Sequence, residues 1–97
     1  MKNAKLSSYF GFAVKSGNLR SGLNTIKTLK KGVFLIAVCH TASDNTKDDA
    51  KKFAIKFNCP IIEIKDATLG EYVGKENCKV AAVTDANLAK AIIENAN

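Results

Sequence analysis

Apolar positions along this chain switch between a helical and an extended period, and the switches mark out alternating elements. Leu6, Phe10, Ala13 and Val14 recur on one side behind Asn3, a good capping residue, and Ser16, Gly17 and Asn18 close the stretch. The first helix should therefore run to about Lys15. Leu19 and Arg20 read as a short extended piece. Ser21 then offers a side-chain cap to a second helix with Leu23, Ile26 and Leu29 on its apolar side, ending near Lys31 before Gly32. From Val33 to Cys39 the chain is continuously apolar and rich in strand formers, which predicts a central strand buried on both faces.

The alternation continues in the second half. Thr41, Ala42, Ser43, Asp44 and Asn45 supply turn and cap chemistry for a third helix to about Phe57, with Phe53, Ala54 and Phe57 inward; Pro60 cannot continue it. Ile61 to Ile64 form a strand, and Thr68 caps a brief helix to Val73 that Gly74 ends. Lys79 to Val83 form another strand, and Asp85 or Asn87 starts a last helix to about Asn95. Helices alternating with buried strands imply an α/β fold, a three-layer α/β/α sandwich around a mixed central sheet. Phe34, Ile36, Val38, Ile61, Val80 and Val83 should contribute to its interior. With 97 residues, 46% of them hydrophobic, one domain spanning residues 1 to 97 without a linker is expected.

Composition narrows the functional classes. The longest strongly apolar run is far too short to cross a bilayer, and the N-terminus has no basic stretch followed by an apolar one, so the expectation is a soluble, cytoplasmic protein with no membrane partner. Cys39, Cys59 and Cys78 are odd in number, widely spaced and without a C-x-x-C pair, the pattern of reduced, mostly buried thiols. Charge is unevenly spread. Residues 1 to 43 hold Lys2, Lys5, Lys15, Arg20, Lys27, Lys30 and Lys31 and not one carboxylate; from Asp44 onward 8 basic residues meet 9 acidic ones. A one-sided cation excess suits a polyanion, because lysines and arginines that neutralise phosphates release condensed counterions.

The most suggestive constellation is Ser21, Gly22, Leu23 and Asn24. Glycine lets a ligand approach backbone closely, and the free N–H groups of a helix start favour anions. On the predicted helix Asn24, Lys27 and Lys31 share an outer face, and Lys27 and Lys31 would repel at i,i+4 by about 0.2–0.5 kcal/mol unless an anion lies nearby. A plain capped surface helix with solvated lysines would have the same pattern. Catalytic readings find less support. Cys39 and His40 are neighbours on a strand and so point to opposite faces, which rules out a nucleophile–base pair. Gly74 and Lys75 lack the P-loop frame, and Asp44, Asp48 and Asp49 sit where a helix dipole favours carboxylates. No catalytic residue, metal or cofactor is expected.

Four ordered segments add a resemblance. Gly11-Phe12-Ala13-Val14-Lys15-Ser16-Gly17-Asn18-Leu19-Arg20-Ser21-Gly22, Thr41-Ala42-Ser43-Asp44-Asn45-Thr46, Leu69-Gly70-Glu71-Tyr72-Val73-Gly74-Lys75 and Val80-Ala81-Ala82-Val83-Thr84-Asp85 stand in the order and spacing of a known family. Over nearly its whole length the chain resembles the bacterial YlxQ-type relatives of ribosomal proteins L-seven-Ae and L-thirty-e, which bind kink-turn RNA. The resemblance implies an L-thirty-e-like sandwich. It also implies an RNA grip formed by the start of the second helix and by a loop before the last strand. The matching positions are Arg20, Ser21, Gly22, Asn24, Thr25, Lys27 and Lys31, and the loop Gly74, Lys75, Glu76, Asn77 and Cys78. Thr25 departs from the pattern, standing where the family has Glu, a stronger acceptor from a guanine edge. The partners implied are structured RNA, ribosomal or messenger, and the ribosome, for a chain acting as a monomer. The alternative reading keeps the fold but makes mainly protein contacts in translation, and Thr25 is the residue that favours it.

Overall fold

Asn3 opens the first helix in the way its side chain predicts, accepting the N–H groups of Lys5 and Leu6 at 2.9 and 3.1 Å at the head of α1, Ala4–Lys15. The computed structural model describes residues 3 to 96; Met1, Asn97 and Lys2, one of the basic residues of the N-terminal segment, lie outside the described residues. After α1 come β1, Leu19–Ser21, and α2, Leu23–Lys27. The centre of the chain forms β2, Leu35–Cys39, and α3, Asp44–Phe57, which Ser43 caps by accepting from the Thr46 N–H. There follow β3, Ile61–Ile64, α4, Leu69–Val73, β4, Val80–Val83, and α5, Ala86–Asn95, capped by Asp85. No helix among the described residues is long and apolar enough to cross a membrane.

The strands lie in the order β1, β4, β2, β3, with β2 parallel to β3 and the other two pairings antiparallel, so the sheet is mixed as expected. Strand β2 is buried from end to end because helices cover both of its faces. Leu35, Ala37 and Cys39 face Leu6 and Phe10 of α1, Leu69 and Tyr72 of α4 and Ile92 of α5. Ile36 and Val38 face Ile26 of α2 and Ala50 and Ala54 of α3, with Phe53 and Phe57 half-buried against them. This is the three-layer α/β/α sandwich that the alternation implies.

Three local expectations are corrected. The second helix stops at Lys27, not Lys31, and Gly22, not Ser21, precedes it. Ser21 is committed to β1, paired with Ala81, and Gly22 has no side chain to cap with. Thr25, Ile26 and Thr28 are β-branched, and the Thr28 hydroxyl donates back to the Thr25 carbonyl at 2.7 Å, tightening the end of a helix that was weak to begin with. Val14 is 40% exposed because Leu6, Phe10 and Ala13 already define the inward stripe of α1. Phe34 is 42% exposed, not interior: it stands just before β2, beside Pro60, Ala89 and Ile93, where the helical layer does not close over it. Of the other expected interior positions, Ile36, Val38, Val80 and Val83 are buried and Ile61 is half-buried.

Candidate nucleic-acid interface

Residues 21 to 25 and 75 to 79 are far apart in sequence, and the β1–β4 ladder brings them together. Ser21 pairs with Ala81, and the Gly22 N–H donates to the Val80 carbonyl at 2.9 Å, so the turn into α2 lies beside the approach to β4. Between them is a depression of about 620 Å³. Ser21, Gly22, Asn24 and Thr25 form one wall, Lys75, Glu76, Asn77, Cys78 and Lys79 the other, and Thr46 of α3 closes an end.

Both walls owe their shape to backbone geometry. Gly22 has φ of 89° and ψ of 147°, a combination that side chains rarely tolerate, and it turns the chain sharply from β1 into α2. Since no side chain caps this helix, its first N–H groups gain no acceptor from the cap residue. On the other wall, the Gly74 and Lys75 N–H groups both donate to the Gly70 carbonyl, at 2.9 and 3.2 Å, and the Cys78 N–H donates to the Lys75 carbonyl at 3.2 Å. A Cβ on Gly70 would stand 2.6 Å from the Lys75 carbonyl oxygen, so this loop rests directly on α4. Glu76 and Asn77 form the exposed corner of the turn, with Asn77 at φ of 64°.

The residues expected to form the site are not all gathered there. The Arg20 guanidinium folds back to the Gly17 and Leu19 carbonyls, at 2.6 and 3.3 Å, and is not part of the walls. Lys27 is exposed at the end of α2; Lys31 is exposed beyond it, so the predicted i,i+4 repulsion on one helix does not arise. Gly74 supports the loop from behind. Two residues go unsingled in the sequence reading. Lys79 is one, its Nζ donating to the Thr41 hydroxyl at 2.8 Å, and its position next to the implied loop was the available signal. Thr46 is the other; it stands in a segment of the family resemblance but was given no place in the site, because it arrives from a third part of the chain.

Buried polar groups lie beneath the site. Ser21 Oγ is buried with no well-aligned hydrogen-bond partner; the weakly bonding Cys78 thiol faces it, and burial pushes that thiol above its ordinary value. Burial acts the same way on Cys39. There, however, the Thr41 hydroxyl at 3.1 Å, the Leu69 N–H and the charge on Lys79 together bring the thiol below its ordinary value. Cys39 is buried while His40 is exposed, with Nδ1 3.0 Å from the Ile64 carbonyl, so the two face apart as strand alternation requires. No cluster of three or more metal-ligating side chains occurs among the described residues.

Comparison with known proteins bears on this arrangement. The family described as Ribosomal protein L7Ae/L30e/S12e/Gadd45 matches residues 4–93. A solved structure of a protein with unknown function from Bacillus halodurans C is similar, with a TM-score of 0.77 at 22% identity over 95% of this chain and 96% of that one. Comparison with curated proteins gives no match.

Proposed function

Since the chain belongs to the L7Ae/L30e/S12e/Gadd45 ribosomal protein family, we propose that it is a one-domain, monomeric RNA-binding module of the YlxQ type. In this reading it works in the cytoplasm in translation, on a kink-turn-like bend in ribosomal or messenger RNA, and performs no chemistry on it. Family membership supports the coarse assignment to RNA-binding ribosomal-protein-like modules. The observation that carries the finer one is the depression itself, where the start of α2 and the loop before β4 meet across the β1–β4 ladder. Asn24 can donate to and accept from a base edge, while Lys27, Lys75 and Lys79 neutralise phosphates crowded at a bend.

Two substitutions compared on a kink-turn RNA and a kink-less control, each at two salt concentrations, test this reading. Asn24→Ala should cost about 1–3 kcal/mol on the preferred RNA and little on the control, the mark of a base contact. Lys27→Ala should weaken both RNAs alike and flatten the slope of log affinity against log salt by about one unit, since one fewer counterion is released. Binding unchanged by both would remove the site and promote the protein-contact reading that Thr25 favours.

A further inference from the structure

Helices α2 and α3 leave the depression side by side. Thr46, in the first turn of α3, stands on its rim with Asn24 and Thr25 of α2. Beyond the end of α2 the two meet again, where the Lys56 Nζ donates to the Leu29 carbonyl at 3.3 Å. Thr46 and Lys56 belong to one helix, so at about 1.5 Å per residue this second meeting point lies about 15 Å from the first. Exposed lysines gather around it: Lys30 and Lys31 in the connection to β2, Lys52 and Lys56 on α3. The chain has no carboxylate from 28 to 43 or from 50 to 62. Asp48 and Asp49, one turn before Lys52, are the acids that come nearest along α3.

Local structure accounts for little of this cluster. The end of a helix favours cations, which explains Lys56 and none of the other three. Lys52 and Lys56, four residues apart on a real helix, repel each other, and Lys30 and Lys31 strengthen the same field. An anion with regularly repeated charges relieves that repulsion at several points at once, and a nucleic-acid backbone is such an anion. Ile55, beside Lys56 and 80% exposed, adds an apolar surface on which a ribose can rest. Double-helical RNA displays its riboses across a wide, shallow minor groove. An RNA bent in the depression continues as paired arms, and at a rise of about 3 Å per base pair the fifth pair or so of an arm comes level with Lys56.

We infer that one double-helical arm of the bound RNA lies along α3, its sugar–phosphate backbone held by Lys30, Lys31, Lys52 and Lys56. The inference rests on the RNA-binding reading above and adds the course the RNA takes after it leaves the depression. These contacts read no base; they fix the direction of the arm and reward an RNA whose arm is long enough to reach them.

Fluorescence anisotropy over a range of salt tests this with a kink-turn RNA whose two arms are shortened in turn from about ten base pairs to about three, too few to reach Lys56. Shortening one of the arms should weaken binding about tenfold and flatten the slope of log affinity against log salt by about two units or more. Lys30→Gln with Lys31→Gln, and separately Lys52→Gln with Lys56→Gln, should each flatten the slope on the long-armed RNA by about two units and leave affinity for the short-armed RNA within about twofold. The first pair lies in an exposed connection and spares the Lys56–Leu29 bond, so a fold disturbed by the second pair does not hide the effect. Lys5→Gln with Lys90→Gln, on the helical layer across the sheet, is the charge-matched control and should leave the effect of arm length in place. Arm length without effect, an effect that survives both pairs, or one that the control pair removes equally overturns this inference and leaves the RNA reading standing. Failure to bind any of these RNAs overturns both.

Discussion

Replacing Gly70 by alanine asks whether the loop truly rests on α4. The helix itself should welcome the change: Gly70 has no positive φ, and alanine is favoured over glycine in a helix interior by about 1 kcal/mol. Against this stands the new Cβ, at 2.6 Å from the Lys75 carbonyl oxygen and 3.6 Å from its carbon. Ordinary contact starts at 3.4 Å, so the backbone of the loop must retreat by about 0.8 Å, and overpacking of this kind costs about 1–3 kcal/mol. The helix gain leaves a net loss of about 0–2 kcal/mol, and Tm should fall by up to about 15 °C at about 4–8 °C per kcal/mol for a domain of this size. Binding should suffer as well. A site must hold its groups to about 0.5 Å, and the loop that carries Glu76 and Asn77 moves further than that, so RNA affinity well below Tm should drop about tenfold. Calorimetry and anisotropy on the same preparation give both numbers. A raised Tm with undiminished RNA binding would refute the packing argument.

Two further outcomes are expected. Gly22→Ala meets open space, since no atom lies within 4 Å of the new Cβ, yet it forces a side chain onto φ of 89°; a loss of about 1–3 kcal/mol with weakened RNA binding is expected by chemical denaturation, and an unchanged midpoint would contradict it. Alkaline pH should destabilise the fold. Burial raises the Cys59 and Cys78 thiols and the Tyr72 hydroxyl, so the unfolded chain gives up these protons first, and stability is lost as pH rises past the ordinary values of 9.0 and then 10.0. Cys39, lowered instead, has the opposite slope, a gain complete by its ordinary value of 9.0, so Cys39→Ala should remove a rise of Tm with pH just below 9.0 and leave the decline above it; a flat Tm above 9.0 would count against the assignment.

Much of the architecture was legible because its signals are local. Asn3, Ser43, Thr68 and Asp85 cap helices where their side chains can reach the next N–H groups, and Gly74 ends α4 with a left-handed residue. The apolar run ending at Cys39 marked the central strand for the same reason. Where the reading failed, the deciding partner was distant. Ser21 looks like a cap until Ala81, some sixty residues on, claims its backbone. Phe34 belongs to an apolar run, but whether a layer covers it depends on where α5 ends up. The two halves of the candidate site were each visible through the family resemblance. Arg20 lies away from the depression because its guanidinium finds nearer carbonyls at the preceding turn, and Thr46, quoted only within a family segment, was not placed beside it because it joins from a helix with its own local logic. Gly70 appears an ordinary helix residue until Lys75 is seen against it.

The pairing of β1 with β4 also sets an order of events during synthesis. All the cations of the carboxylate-free N-terminal stretch leave the ribosome while the strand that shapes the site is still unmade. A half-made chain thus has charge without shape and can be drawn to any polyanion. On the proposed reading, discrimination between RNAs arrives only when residues 75 to 83 emerge and dock against residues 19 to 22, a long-range closure that is among the slower steps of folding. The nascent protein in this sense acquires its attraction to polyanions before it acquires the shape that could sort them.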